Sequence, residues 1–154
     1  MPRVVRNAEA VWEGNLARGG GGLSAGSSGA FASLPYSLPA RVGDPEGKTS
    51  PEELLAAAHA GCYAMGLAGE LTGRGTPPER VEVTASVVLD EVTGKGHQIV
   101  SSAIVARAVV SGIGEDDFRD AAHVADEECP LAALIRGIGT VTLDARLEHP
   151  ATGS

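Results

Sequence analysis

The chain has 154 residues, 12 basic against 20 acidic side chains and a formal net charge of −8. That length fits one domain, residues 1–154, with 149–154 as a loose tail. The acidic balance disfavours nucleic acid and anionic membrane surfaces as partners, and no apolar run reaches the ~18 residues of a membrane span.

"MPRVVRNAEA" lacks an apolar signal core, so the cytoplasm is the expected compartment. There, two cysteines are more often catalytic, metal-binding or inert than a static staple. Aromatics make up 3% of the chain although 43% is hydrophobic. The core must therefore be built from Ala, Val, Leu and Ile. Such a thin core would gain from a subunit interface.

The first predicted element is a strand in "AEAVWEGNLA", followed by "RGGGGLSAGSSGAFASL". A phosphate loop would need a helix directly after the glycines and a Gly-Lys-Ser/Thr ending. Neither is present, which leaves a hairpin and its return strand. "PYSLPARVGDPEGKTS" reads as an extended loop, because Pro35, Pro39 and Pro45 disfavour helix. The central helix starts at Ser50, an N-cap, with Pro51 at the first helical position and Glu53 at the third. This is a capping box, and the helix runs to about "TGRGTPP".

"VEVTASVVLDEV", "TGKG" and "HQIVSSAIVARAVVSG" form a strand, a turn and the partner strand. "EDDFRDAAHVADEE" is a helix whose acidic first turn suits the helix dipole. Pro130 opens the short helix "PLAALIR", ended by Gly137, and "GTVTLDARLEH" is a final strand. The order gives an α+β fold with sheets packed against a central helix.

Cys62 lies on the central helix, on a stripe with Ala58 and Met65. Burial among apolar side chains alone would raise its pKa and leave it inert. A reactive thiol there needs a cation from elsewhere in the fold. Cys129 precedes Pro130 and takes the N-cap of the short helix, whose positive end favours a thiolate, against the opposing Glu127 and Glu128. Local chemistry makes Cys129 at least as reactive as Cys62, and spacing does not decide whether the two approach.

A metal site is the competing reading, with His59 and Cys62 on one helix face and His123 or Cys129 joining. Structural zinc sites usually carry two close-spaced pairs, and here there is one. His59 reads more simply as a helix histidine with a local hydrogen bond. His97 and His149 read as surface residues. Glu52 is a solvated first-turn acid by default, Arg18 and Arg41 are surface arginines, and Trp12 and Tyr36 are core or interface aromatics.

"VWEGNLARGGGGLSAGSSG", "LPYSLPARV", "TSPEELLAAAHAGCYAMGLAGEL" and "CPLAALIRGIGTVTLDARL" together resemble the OsmC/Ohr family of organic hydroperoxide reductases, from about Val11 to Leu147. The WEG start and the "PY…R" loop are nearer to the OsmC branch. The resemblance implies an OsmC-like fold, an intertwined homodimer with sheets wrapped on a long central helix. It also implies a cysteine-based peroxidase without metal, haem or other cofactor. By the family pattern, Cys62 attacks an organic hydroperoxide and Cys129 resolves the product. Glu52, ten residues before Cys62, belongs to the catalytic set. The activating arginine corresponds to Arg41 in the OsmC pattern, or to Arg18 in the Ohr pattern. An external dithiol, a lipoyl-bearing protein by the family pattern, would return both thiols. The alternative is a non-enzymatic redox sensor or small-molecule binder on the same scaffold.

Glu52 and Cys62 are ten residues apart on one predicted helix, roughly 15 Å along the axis. If they serve one site, that site must join two copies of the chain in an obligate homodimer.

Overall fold

A computed structural model of the chain describes residues 3–150. Most of the expected tail, residues 151–154, lies outside the described residues. Chain contacts cluster into two compact units, Met1–Leu54 and Leu55–Ser154.

The first unit is a three-stranded antiparallel sheet in the order β1 (Ala8–Glu13), β2 (Gly20–Ala25), β3 (Leu34–Tyr36). The glycine run is the second strand of the expected hairpin. Gly21 lies opposite Trp12 and Tyr36, whose rings meet edge to face at 5.4 Å. A Cβ at Gly21 would sit 2.3 Å from the Val11 carbonyl oxygen and 2.7 Å from the Tyr36 ring. Only glycine allows that approach.

The segment expected as an extended loop is in fact partly regular. It holds β3 and the short helix α1 (Leu38–Val42). Ser37 caps α1, its Oγ accepting from Ala40 N–H at 3.3 Å. Pro39 falls in the first turn, where its missing N–H costs nothing. The prolines therefore start a helix here rather than forbid one.

The long helix α2 covers Pro51–Gly73. Its start follows the cap expectation: Glu53 N–H donates to Ser50 Oγ at 3.1 Å. The Glu53 carboxylate does not reach back to Ser50. It accepts from the Thr49 hydroxyl at 2.8 Å instead.

In the second unit, β4 (Pro78–Val92) and β5 (Gly96–Val110) form a long antiparallel hairpin, and β6 (Thr140–Glu148) pairs with β5 in parallel. A parallel pair needs a crossover, which is supplied by α3 (Glu115–Glu127) and α4 (Pro130–Arg136). Gly139 admits the chain to β6. A Cβ there would lie 2.3 Å from the Val100 carbonyl oxygen.

The core of this unit joins one stripe of α2 to β5 and α3. Tyr63, Leu67 and Leu71, four residues apart, are fully buried with Ile104, Val110 and Phe118. Each buried Leu-sized side chain contributes about 1.5–3 kcal/mol. Alanine and aliphatic side chains make up the rest of this core, but Tyr63 and Phe118 are its largest members, which the low aromatic content did not suggest.

Candidate functional site

Cys62 is on α2 and Cys129 is the N-cap of α4. Their Sγ atoms are 3.3 Å apart, with the Cys129 thiol donating to the Cys62 sulfur. Both are free thiols. A disulfide needs about 2.05 Å between sulfurs, so a small closure of the Cys129 turn would join them.

Cys129 differs from the local expectation. Burial pushes its thiol up, and the contact with Cys62 adds to this, while the backbone N–H groups of Ala132 and Leu131 pull it down. Burial wins. The helix end is present, but the residue is only 3% exposed. Cys129 is thus a poorer thiolate than its N-cap position alone suggests.

The surroundings of Cys62 also differ. Its stripe mates Ala58 and Met65 are exposed, Met65 at 79%. The buried stripe is the neighbouring one, through His59, Tyr63, Leu67 and Leu71. Cys62 stands at the edge of the core, half-buried.

His59 does not make a local bond. It is fully buried, and its Nδ1 lies 2.6 Å from Ser102 Oγ on β5. Burial holds the ring below its ordinary pKa, Asp126 opposes this, and Arg136 assists it. The imidazole is neutral at pH 7. Sequence spacing could not find this bond, because its partner is 43 residues away. Among the described residues, no group of three or more His, Cys, Asp or Glu side chains is placed to hold a metal ion. His123 is exposed and pairs with Glu127 at 2.9 Å. His97 and His149 are exposed, as expected.

In the first unit, Arg41 on α1 meets Glu52 at the start of α2. Arg41 Nε donates to Glu52 Oε2 at 3.0 Å, and Nη2 donates to Oε1 at 2.5 Å. This is the two-pronged fork that only arginine makes with a carboxylate. Glu52 is therefore no solvated first-turn acid. Its side chain is 11% exposed. Arg18 stands apart from this pair. It lines a cavity of about 960 Å³ in the first unit with the glycine strand, Tyr36 and Lys48, and neither cysteine lines that cavity.

The hydrogen bond to Glu52 raises Arg41. Burial pushes the Glu52 carboxyl up, but the bond from Arg41, a backbone N–H and Ser50 together hold it below its ordinary value. A carboxyl with a lowered folded pKa contributes stability that is complete above the unfolded value of 4.5 and is lost as pH falls through the folded value. The stability gap between wild type and Glu52→Gln should therefore be constant near neutrality and narrow below pH 4.5. Denaturant unfolding at a series of pH values measures it. A gap unchanged in acid would show that ionisation of the pair is not what stabilises the fold.

The fold is a mixed α+β chain whose helices bring two free thiols into contact, an arrangement open to thiol redox chemistry. Residues 43–144 match the family model described as OsmC-like protein. The chain is 34% identical over 145 residues to Peroxiredoxin OsmC of Escherichia coli K12, covering 94% of this chain and 98% of that one. The same figures hold for Peroxiredoxin OsmC of Shigella flexneri. The chain belongs to the OsmC family.

Among solved structures, an organic hydroperoxide resistance protein OsmC from Legionella pneumophila superposes with a TM-score of 0.72 at 24% identity, covering 94% of this chain and 99% of that one. The organic hydroperoxide resistance protein OhrB of Bacillus subtilis gives 0.67 at 21% identity, covering 92% and 98%. These two likenesses establish the fold. Among the described residues, no helix is long and apolar enough to cross a membrane.

Proposed function

We propose that the protein is a thiol peroxidase that reduces organic hydroperoxides to alcohols. The observation that carries this reading is the approach of Cys62 and Cys129 Sγ to 3.3 Å on two different helices. Family membership and the 34% identity to a peroxiredoxin support a peroxidase-type role.

The Cys62 thiolate attacks the distal oxygen of ROOH. The O–O bond breaks and an S–O bond forms, giving Cys62 sulfenic acid and an alkoxide that takes a proton to become ROH. The Cys129 sulfur then displaces hydroxide from Cys62. A disulfide forms and water leaves, which guards Cys62 against further oxidation. An external dithiol, a lipoyl-bearing protein in our reading, returns both thiols by exchange. No step calls for a metal or cofactor.

Arg41 is the guanidinium we assign to the thiolate and to the developing alkoxide. Its fork with Glu52 fixes its orientation. Glu52 and Cys62 stand ten residues apart on α2. That is roughly 15 Å along the axis and roughly 80° around it, beyond the reach of a glutamate side chain. We therefore assign the site to an obligate homodimer, in which Arg41 and Glu52 of one chain serve the cysteines of the other. The exposed Ala58 and Met65 beside Cys62 fit a surface that a second chain covers.

The test is steady-state consumption of an alkyl hydroperoxide and of hydrogen peroxide, with a lipoyl dithiol or a monothiol as donor. The alkyl substrate with the dithiol should turn over at least tenfold faster than either other combination, as expected for an apolar helix around the nucleophile and a two-thiol product. Disulfide formation without turnover would instead support the redox-sensor reading.

A further inference from the structure

The turn between α3 and α4 that carries Cys129 is pinned by groups that the chemistry above does not use. Asp126 is 7% exposed. Its backbone carbonyl oxygen accepts from Cys129 N–H at 3.3 Å and from Arg136 Nη1 at 3.4 Å. Its Oδ2 accepts from Arg136 Nη2. One guanidinium from the end of α4 thus grips both the backbone and the side chain of a residue at the end of α3, with Cys129 between them.

The other carboxylate oxygen, Asp126 Oδ1, is buried and has no hydrogen-bond partner among the described residues. Nor has His59 Nε2, also buried. The neutral imidazole carries one proton. In the tautomer in which Nδ1 accepts from Ser102, Nε2 is a donor. Asp126 raises the proton affinity of His59, although the two make no hydrogen bond. His59 is one helical turn before Cys62, and Asp126 is three residues before Cys129.

We propose that Asp126, gripped by Arg136, is a positioning residue that holds the Cys129 turn against Cys62 for the resolving step. The inference rests on the two-cysteine reading given above. In that step the Cys129 sulfur bonds to the Cys62 sulfur, the S–OH bond breaks, and the Cys129 proton and hydroxide leave as water. The sulfurs must close by about 1.3 Å to reach the ~2.05 Å of the bond. A misplacement of about 1 Å can cost on the order of a hundredfold in rate, so the turn must be held in place while remaining free to close.

Asp126→Asn removes the charge and keeps the volume. Arg136 is 38% exposed, so the freed guanidinium can turn to water and the variant can fold. Arg136→Lys keeps the charge and loses the fork. Sulfenic acid formation is followed with a trapping reagent after one equivalent of alkyl hydroperoxide. Disulfide is followed by thiol counting, and sulfinic acid by mass spectrometry under excess peroxide.

In both variants, sulfenic acid formation should stay within about twofold of wild type, disulfide formation should slow at least tenfold, and sulfinic acid should accumulate. In a Cys129→Ser background, which has no resolving step, Asp126→Asn should add nothing to the sulfinic acid yield. Wild-type disulfide rates in the folded variants would overturn the proposal. So would an equal slowing of the first step, or an added effect in the Cys129→Ser background, since either marks a general loss of structure. Should Asp126→Asn fail to fold, Arg136→Lys decides by the same measures. A wild-type protein that forms no disulfide would overturn the two-cysteine reading itself, and with it this proposal.

Discussion

Replacing Cys62 with serine should abolish peroxide turnover, lowering it at least a thousandfold, because an alkoxide at neutral pH is far scarcer than a thiolate. Replacing Cys129 should act differently. The first oxidation should proceed, one sulfenic acid should form per chain, and turnover should fail as Cys62 passes to sulfinic acid. The asymmetry follows from the site. Cys62 is half-buried at the edge of the core, whereas burial pushes the Cys129 thiol up. Sulfenic acid trapping in each serine variant separates the roles. Trapped product on Cys129 in Cys62→Ser, with turnover retained, would exchange the two assignments.

Mixing two inactive variants should restore activity. Glu52→Ala and Cys62→Ser, unfolded and refolded together, should give heterodimers in which both lesions fall in one site and the other site is whole. Random pairing makes about half of the dimers mixed, each with one working site, so about a quarter of wild-type activity should return. The expectation rests on helix geometry, because ten residues of an α-helix span roughly 15 Å. Tagged, purified heterodimers with no activity would place Glu52 and Cys62 of the same chain in one site. A fully active monomer would remove the second chain altogether. Arg41→Ala should behave like Glu52→Ala in the same mixture, since the fork joins the two within one chain.

Much of the scaffold was legible in the sequence because its signals are local. Ser50, Pro51 and Glu53 mark the start of α2, and alternation marks β4 and β5. Pro130 and Gly137 bracket α4. The segment around Arg41 misled because three prolines in sixteen residues suggest loop. Ser37 two residues before Pro39 is in fact a cap followed by a first-turn proline, and that signal was available. The site was less legible. Cys62 and Cys129 are 67 residues apart, and spacing says nothing about whether such a pair meets. The family resemblance, not periodicity, singled out Glu52 and Arg41. The environment of His59 lay beyond both, because its partner Ser102 comes from β5.

The parallel pairing of β5 and β6 sets an order of assembly. The β4–β5 hairpin forms from neighbouring residues, and α2 needs only its own sequence and a face to pack on. Cys129 lies in the crossover, and β6 must find β5 across the whole of it before that crossover is closed. Such non-local contacts form late. On the cysteine roles proposed above, a newly made chain would hold the attacking thiol before the resolving thiol is seated. Oxidant reaching the protein during synthesis would then meet an attacking thiol without its partner, and the half-folded chain would be more vulnerable to irreversible oxidation than the finished protein.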